Sequence, residues 1–398
     1  MHPRFTLLPN SAITRTAPIA SIRTLTNLEP TLSPDFAQQD SIFSSAFSIL
    51  CEAIGERAFP ATSLAITQED RVVALKSFGN FTFEASSPTV TPATLFDLAS
   101  LTKVVAITTM AMILYERGLL ALDAPVAGTV PEFLADSCGD FDPRRRDVTF
   151  RMLLAHCSGL PAYEKLFLKA RSRDELLRAA FTTSLSADPG SRAEYSDIGF
   201  IVLGAALERI AEESLDAFCQ RDIFGPLAMA STTFNPPAEM RAQIPPTADD
   251  RTFRKRIIQG EVQDENAFVL GGIAAHAGLF STAEDLARFA HSMLHGGRPI
   301  LRPETIAVFT RRESAPLGTS RALGWDTPSS PSQSGRHFST ASYGHLGYTG
   351  TSLWVDPERQ LSVTLLTNRT WSDCSNQSIK QIRPRFHDAV IEALEQRT

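Results

Sequence analysis

A chain of 398 residues, 43% hydrophobic and 21% charged, has enough apolar material to bury one large core or two smaller ones. Its 25 Phe residues exclude disorder along the whole length, and no collagen, mucin or prion-like bias is present. The formal charge of -6, from 38 basic and 44 acidic residues, lacks the basic excess with which nucleic-acid binders neutralise phosphates.

Residues 1–40 are rich in Thr, Ser and Pro without sustained periodicity, and read as a loosely packed tail. The apolar run Phe5–Leu8 is broken by Pro9 and falls short of the roughly 7–15 residues of a secretory core, so the expected location is cytoplasmic, with export by an unusual signal left open. No stretch approaches the ~20 apolar residues of a membrane span. Five scattered cysteines without a CxxC pair suit a reducing compartment and argue against a disulfide framework or a zinc site.

From Asp40 the pattern changes. Phe43, Phe47, Leu50 and Ile54 recur at helical spacing, which predicts an amphipathic helix over 41–57. Residues 64–67 and 72–78, split by a polar turn, read as a β-hairpin. The nearly continuous apolar run 101–120 is long enough for a buried central helix. Helical patterns follow at 149–156, 173–182, 198–213 and 214–223, then strands at 352–355 and 361–367 and a last helix over 377–394; 328–334 reads as a surface loop. Strands at both ends with helices between them do not give the alternation of a parallel sheet. The expected class is α+β: a sheet domain from 41–128 and 281–398, with a helical domain, 129–280, inserted.

Four stretches can carry chemistry. Ser100 lies where a loop meets the central helix, and Lys103 follows one turn later on the same face. Unpaired N–H groups and the helix dipole favour negative charge on a serine oxygen there, and an amine within reach can activate it toward an acyl carbon. With only six Lys in the chain the pairing is informative, although a capping serine and a lysine laid along its helix explain the same letters. Tyr195-Ser196-Asp197 sits in a polar loop feeding a helix, placed either to present a phenol to a cleft or to cap that helix. Gly344, Gly347 and Gly350 open a strand edge around His345 to close approach by a substrate. Gly271–Thr282 is small-residue packing that leads into a helix capped by Thr282, with Glu284 and Asp285 in its first turn.

In this order the stretches resemble the serine β-lactamase and penicillin-binding protein superfamily, on the branch of class C β-lactamases and family VIII carboxylesterases. Ser100–Lys103 is similar to its S-x-x-K, Tyr195-Ser196-Asp197 to Y-x-N with Asp in the last place, and His345-Leu346-Gly347 stands where K-T-G is expected. Residues 153–161, 276–282, 324–328 and 352–357 frame these motifs as in the family, so the resemblance covers about 41–398. Reading Ser196-Asp197-Ile198 as a failed S-D-N, or Tyr348-Thr349-Gly350 as the third motif, fits the spacing less well.

The resemblance implies acyl transfer through Ser100, with Lys103 and Tyr195 as the other catalytic residues and no cofactor. It implies an oxyanion hole from the Ser100 and Tyr348 N–H groups, and substrate contacts from Asp197, His345, Gly347 and Thr349. The general base is either neutral Lys103 or the Tyr195 phenolate; Asp197 beside Lys103 would keep an ammonium there and so favour the phenolate. A largely neutral His345 in place of a permanent cation moves the expectation toward uncharged small esters, ahead of β-lactams or D-amino-acid peptides, with acyl transfer to another acceptor and a silent sensor as further readings. The expected partner is a small acyl substrate; oligomeric state is not readable. Glu261–Asn266 either lines the site or caps a helix. A metal hydrolase finds no HExxH spacing, and the lone i,i+4 pair, His291 and His295, reads as a solvated helix face.

Overall fold

The computed structural model describes residues 29–136 and 138–397. Among the described residues the strands are β1 (Thr31–Leu32), β2 (Ala61–Gln68), β3 (Arg71–Gly79), β4 (Phe96–Asp97), β5 (Thr233–Phe234), β6 (Pro246–Asp250), β7 (Arg256–Gln259), β8 (Leu279–Ser281), β9 (Tyr343–Leu346), β10 (Ser352–Asp356) and β11 (Leu361–Thr367). Six of them form the main sheet in the order β1-β3-β2-β11-β10-β9. The class is α+β, and the antiparallel pairing of β2 with β11 joins the two halves of the chain at the sheet's centre.

The residue pattern explains that centre. In β11, Leu361, Val363 and Leu365 face one core while Leu366 faces the other; in β2, Leu64 and Ile66 share the first core and Ala61 and Ala65 the second. A strand buried on both faces needs apolar or self-satisfying side chains throughout, and Thr67 and Ser362 meet that need by bonding each other at 2.6 Å. One face is covered by helices Ser44–Gly55 and Ile379–Glu395, the first burying Ala46, Phe47, Leu50 and Ala53 at helical spacing. Each fully buried Leu or Phe contributes about 1.5–3 kcal/mol relative to exposure. Helix Ala283–Leu294 lies against the other face, contacting β2, β10 and β11.

The sequence-predicted hairpin, central helix and C-terminal strands lie where expected, with ends shifted by a few residues. Helix 149–156 is shorter, Phe150–Leu154, because the Thr149 side chain caps its start and His156 leaves it at φ 55°. Very short strands escaped the pattern: β4, β8 and β5 form a separate three-stranded sheet and β6 pairs with β7.

Two expectations need correction. Residues 1–28 of the proposed tail lie outside the described residues, but its end is not loose: Thr31 and Leu32 pair parallel with Arg71 and Val72, and Phe36–Gln38 and Gln39–Ile42 are helical. The sheet edge offers backbone partners that Thr/Ser/Pro composition does not reveal. His291 and His295 are not a solvated face, since His291 is 2% exposed and the helix turns both rings toward the β2–β3 turn.

The central helix, Ala99–Glu116, has the length and hydropathy of a membrane span, yet most of its residues are buried inside the protein. It starts as a 3-10 turn at Ala99–Leu101 and widens into a π turn over Lys103–Thr108 before becoming α-helical. Such irregular turns recur at functional sites.

Candidate active site

Ser100 is presented by a tight bend. β4 pairs with β8 and ends at Asp97, whose Oδ1 accepts the Ala99 N–H at 2.8 Å and holds Ala99 at φ 47°, a left-handed conformation uncommon for a residue with a side chain. The second carboxylate oxygen accepts the Gln263 N–H at 2.7 Å. Burial is the main force on Asp97, and although both N–H donors oppose it, its carboxyl is pushed up to about 6.

Lys103 is fully buried, and its ammonium has three partners: Ser100 Oγ at 2.9 Å, Asp197 Oδ1 at 2.7 Å and the His276 carbonyl at 2.8 Å. All three donors are used. Burial pulls the pKa of this amine down, but the Asp197 carboxylate, followed by Tyr195, more than offsets it and the net direction is upward. Lys103 is thus held as a cation, as the pairing with Asp197 requires.

Tyr195 arrives from the opposite side. Its hydroxyl donates to Ser100 Oγ at 2.8 Å, so that oxygen accepts from both an ammonium and a phenol. The loop is stitched in place by Glu194 N–H to the His156 carbonyl (2.7 Å), Ser196 N–H to His156 Nδ1 (3.0 Å) and Asp197 N–H to the Ala162 carbonyl (2.8 Å). Ser196 caps helix Asp197–Ala211 through the Gly199 N–H at 2.9 Å, which points Asp197 toward Lys103 from its first turn. The His156 ring lies between Tyr195 and Phe200, with centroids 4.6 and 5.0 Å away. Burial, then Arg321 and Lys103, hold that imidazole neutral.

The cation beside Tyr195 does not lower its pKa overall. Burial of the phenol is the largest influence and outweighs the pull of Lys103, so the hydroxyl is raised above its ordinary range. The expected resting phenolate is corrected to a resting phenol, because desolvation penalises the anion more than one cation rewards it.

The third wall is the turn after β9. Thr351 Oγ1 donates to the Leu98 carbonyl at 3.0 Å and Thr349 Oγ1 to the Asp97 carbonyl at 2.8 Å, clamping the turn onto the residues that precede Ser100. Gly347 is required there, since a Cβ would lie 1.9 Å from Thr351 Oγ1 and 2.5 Å from the Leu98 oxygen. Among the described residues neither the Ser100 N–H nor the Tyr348 N–H has a protein acceptor, as an oxyanion hole needs. His345 Nδ1 bonds the Leu346 carbonyl at 2.8 Å; a carbonyl only accepts, so the proton sits on Nδ1. Burial, followed by Lys103 and Arg321, keeps the ring neutral, and Nε2 is left as a bare acceptor without a protein partner among the described residues.

Together these walls enclose a cavity of about 910 Å³ with Ser100 and Tyr195 in its lining. That volume suits a small organic substrate.

The Beta-lactamase family model matches residues 47–378. The chain belongs to the β-lactamase family. It is 31% identical over 346 residues to an N-acetylmuramyl-L-alanine amidase of Bacillus subtilis (strain 168), spanning 78% of this chain and 77% of that one. It is 30% identical over 349 residues to a protein of Escherichia coli (strain K12) described as "Putative D-alanyl-D-alanine carboxypeptidase", with 79% of each covered. Among solved structures it is similar to EstCE1, "a hydrolase with promiscuous acyltransferase activity", at TM-score 0.73 and 22% identity over 89% of this chain and 99% of that one. At that identity the likeness establishes the fold, and this is a serine hydrolase of the β-lactamase fold.

Within this β-lactamase-family fold, Ser100 bonds both Lys103 and Tyr195, Lys103 bonds Asp197, and His345, Gly347 and Tyr348 line the same cavity. Thr349 does not. It is fully buried with its hydroxyl committed to Asp97, so the expected substrate contact is corrected to a clamp. The acidic stretch 261–266 does both things expected of it: Asp264 caps helix Glu265–Val269, while Gln263 and Glu265 face the cavity. Asp264 also takes a hydrogen bond from His276 Nε2 at 2.8 Å, which fixes the strand-entry segment whose carbonyl holds Lys103.

Sequence reasoning missed Arg321. Its guanidinium stands 5.5 Å from the Tyr195 ring centroid and faces the cavity, and its ion pair among the described residues is a long 3.9 Å approach to Asp326. A lone arginine in a coil gives no signal in one sequence.

Proposed function

We propose that the protein is a small-ester hydrolase working through an acyl-Ser100 intermediate. The observation that carries this reading is the convergence of the Tyr195 hydroxyl and the Lys103 ammonium on Ser100 Oγ in the lining of the cavity. Once the Tyr195–Lys103 pair has given up one proton to solvent, Ser100 Oγ attacks the ester carbonyl, its proton passes to the pair, and the carbonyl oxygen becomes an oxyanion facing the Ser100 and Tyr348 N–H groups. One such donor is typically worth about 2.7–4 kcal/mol in the transition state. The tetrahedral intermediate collapses, the C–O bond to the alcohol breaks, and the pair returns the proton to the departing oxygen. Water then repeats the sequence and releases the acid.

A neutral His345 that offers an acceptor supports substrates that bring a donor rather than a carboxylate to that wall. Arg321 favours a second reading, a D-amino-acid peptidase or β-lactamase, because a guanidinium in the cavity suits an anionic acyl donor; the amidase and carboxypeptidase relatives support it as well.

Turnover of p-nitrophenyl esters, a chromogenic cephalosporin and a D-alanyl-D-alanine peptide, each against a Ser100→Ala control, tests both readings. Ester turnover in excess of the other two, lost in the control, is the expected result. Peptide turnover well above ester turnover replaces the first reading with the second. Equal rates in protein and control overturn both.

A further inference from the structure

Outside the catalytic cavity, one group of side chains has the composition of a metal centre. Asp70 occupies the β2–β3 turn, and His291 and His295 lie one helical turn apart at the end of helix Ala283–Leu294. Their ligand atoms all fall within 4.8 Å of one another, and the two imidazole centroids are 4.1 Å apart. None of the three lines the cavity that holds Ser100.

The orientation of His295 is the second observation. Its Nδ1 bonds the His291 carbonyl at 2.8 Å, so Nδ1 carries a proton and Nε2 is aimed at Asp70 Oδ1, 2.5 Å away. Metal-bound histidines are held in this way, the far nitrogen donating to a backbone carbonyl so that the near one presents its lone pair.

We propose that Asp70, His291 and His295 bind a divalent first-row cation of the zinc class. Two imidazoles and a carboxylate match that class, and the fourth tetrahedral position is left for water. Ligand bonds of about 2.0–2.2 Å place tetrahedral ligand atoms roughly 3.3 Å apart. The 2.5 Å contact therefore opens and the wider spacings close by up to about 1.5 Å. Asp70 can make that adjustment, since its side chain is 74% exposed on a turn. Binding uses the Nε2 lone pair, and the bound ion joins the hairpin turn to the end of the helix.

Zn²⁺ titration of the full chain, first stripped with EDTA, tests this by calorimetry. The expected result is one ion per chain and a Tm raised by a few degrees. Co²⁺ in its place is expected to give a d–d spectrum without a thiolate charge-transfer band, which separates this site from the cysteines. Asp70→Asn and His295→Gln, conservative changes at exposed or half-exposed positions, should each weaken binding by at least about tenfold, the loss seen even for outer-shell partners. Ester turnover should be unchanged in both. No Zn²⁺ binding by the parent chain, equal binding in both variants, or a thiolate band would each overturn the proposal.

Discussion

The Tyr195 hydroxyl donates to Ser100 Oγ at 2.8 Å while its pKa is raised by burial, so the resting contact is the reverse of the one that removes the serine proton. With Lys103 held as an ammonium by Asp197, the resting pair carries one proton too many to act as a base. Loss of that proton, from whichever partner, is the condition for attack.

A dependence on pH follows. A base with a raised pKa is mostly protonated at neutrality, and its active fraction grows about tenfold per pH unit below that pKa. The expected kcat/KM for a p-nitrophenyl ester therefore climbs with pH from 7 past 9 with a slope near one, after correction for spontaneous hydrolysis. A profile flat across that range means that the base is already free at neutrality and contradicts the assignment.

Asp197→Asn should move that limb to lower pH. The carboxylate supports the Lys103 cation and also raises Tyr195, so removing its charge lets the pair give up its proton more readily. The variant's pH profile, compared with its maximal rate, separates this effect from simple misplacement of Lys103.

Tyr195→Phe removes the hydroxyl and leaves the ring packed at a tilt against His156. A general acid–base group typically contributes about 10²–10⁴-fold, so kcat should fall by that order with KM little changed. Intact mass after ester exposure should show acylation of Ser100 slowed to the same extent. A fully active variant assigns the proton transfer to Lys103.

The wall residues predict selectivity. Arg321→Gln is expected to raise KM for the cephalosporin or the D-alanyl peptide several-fold while leaving a neutral ester within about twofold, since charge-assisted hydrogen bonds to carboxylate exceed neutral ones. His345→Lys should shift the same ratio in the opposite direction. Parallel losses on all substrates in both variants indicate damage to the wall rather than selection by charge.

The clamp on the oxyanion turn is testable by stability. Thr349→Val deprives the buried Asp97 carbonyl of its donor, for an expected loss of about 1–3 kcal/mol in urea unfolding. Gly347→Ala forces a methyl against Thr351 and Leu98 and should cost about 1–3 kcal/mol, with a larger loss of kcat because Tyr348 is displaced.

Local patterns carried some of this and not the rest. Ser100 and Lys103 were legible because a helix places residues three apart on one face and lysine is rare in this chain. The sheet's central strands were legible from short runs rich in apolar and β-branched residues, whereas β4, β5 and β8 are only two or three residues long and show no period. Thr349 was misassigned because side-chain direction inside a glycine-rich turn is set by the clamp to Asp97, a residue distant in sequence. The Tyr195 ionisation was misjudged for a related reason: the neighbouring cation is visible in the motif, but the extent of burial is not. Arg321 was beyond reach, since nothing in its flanking residues foretells a place over the Tyr195 ring.

The clamp that seats the last wall of the site spans 252 residues of chain. During synthesis the nucleophile, its amine and its phenol all leave the ribosome well before β10 and β11 exist to carry that wall. A nascent polypeptide halted upstream of them carries Ser100, Lys103 and Tyr195 but lacks the strands from which the Gly347–Thr351 turn is hung.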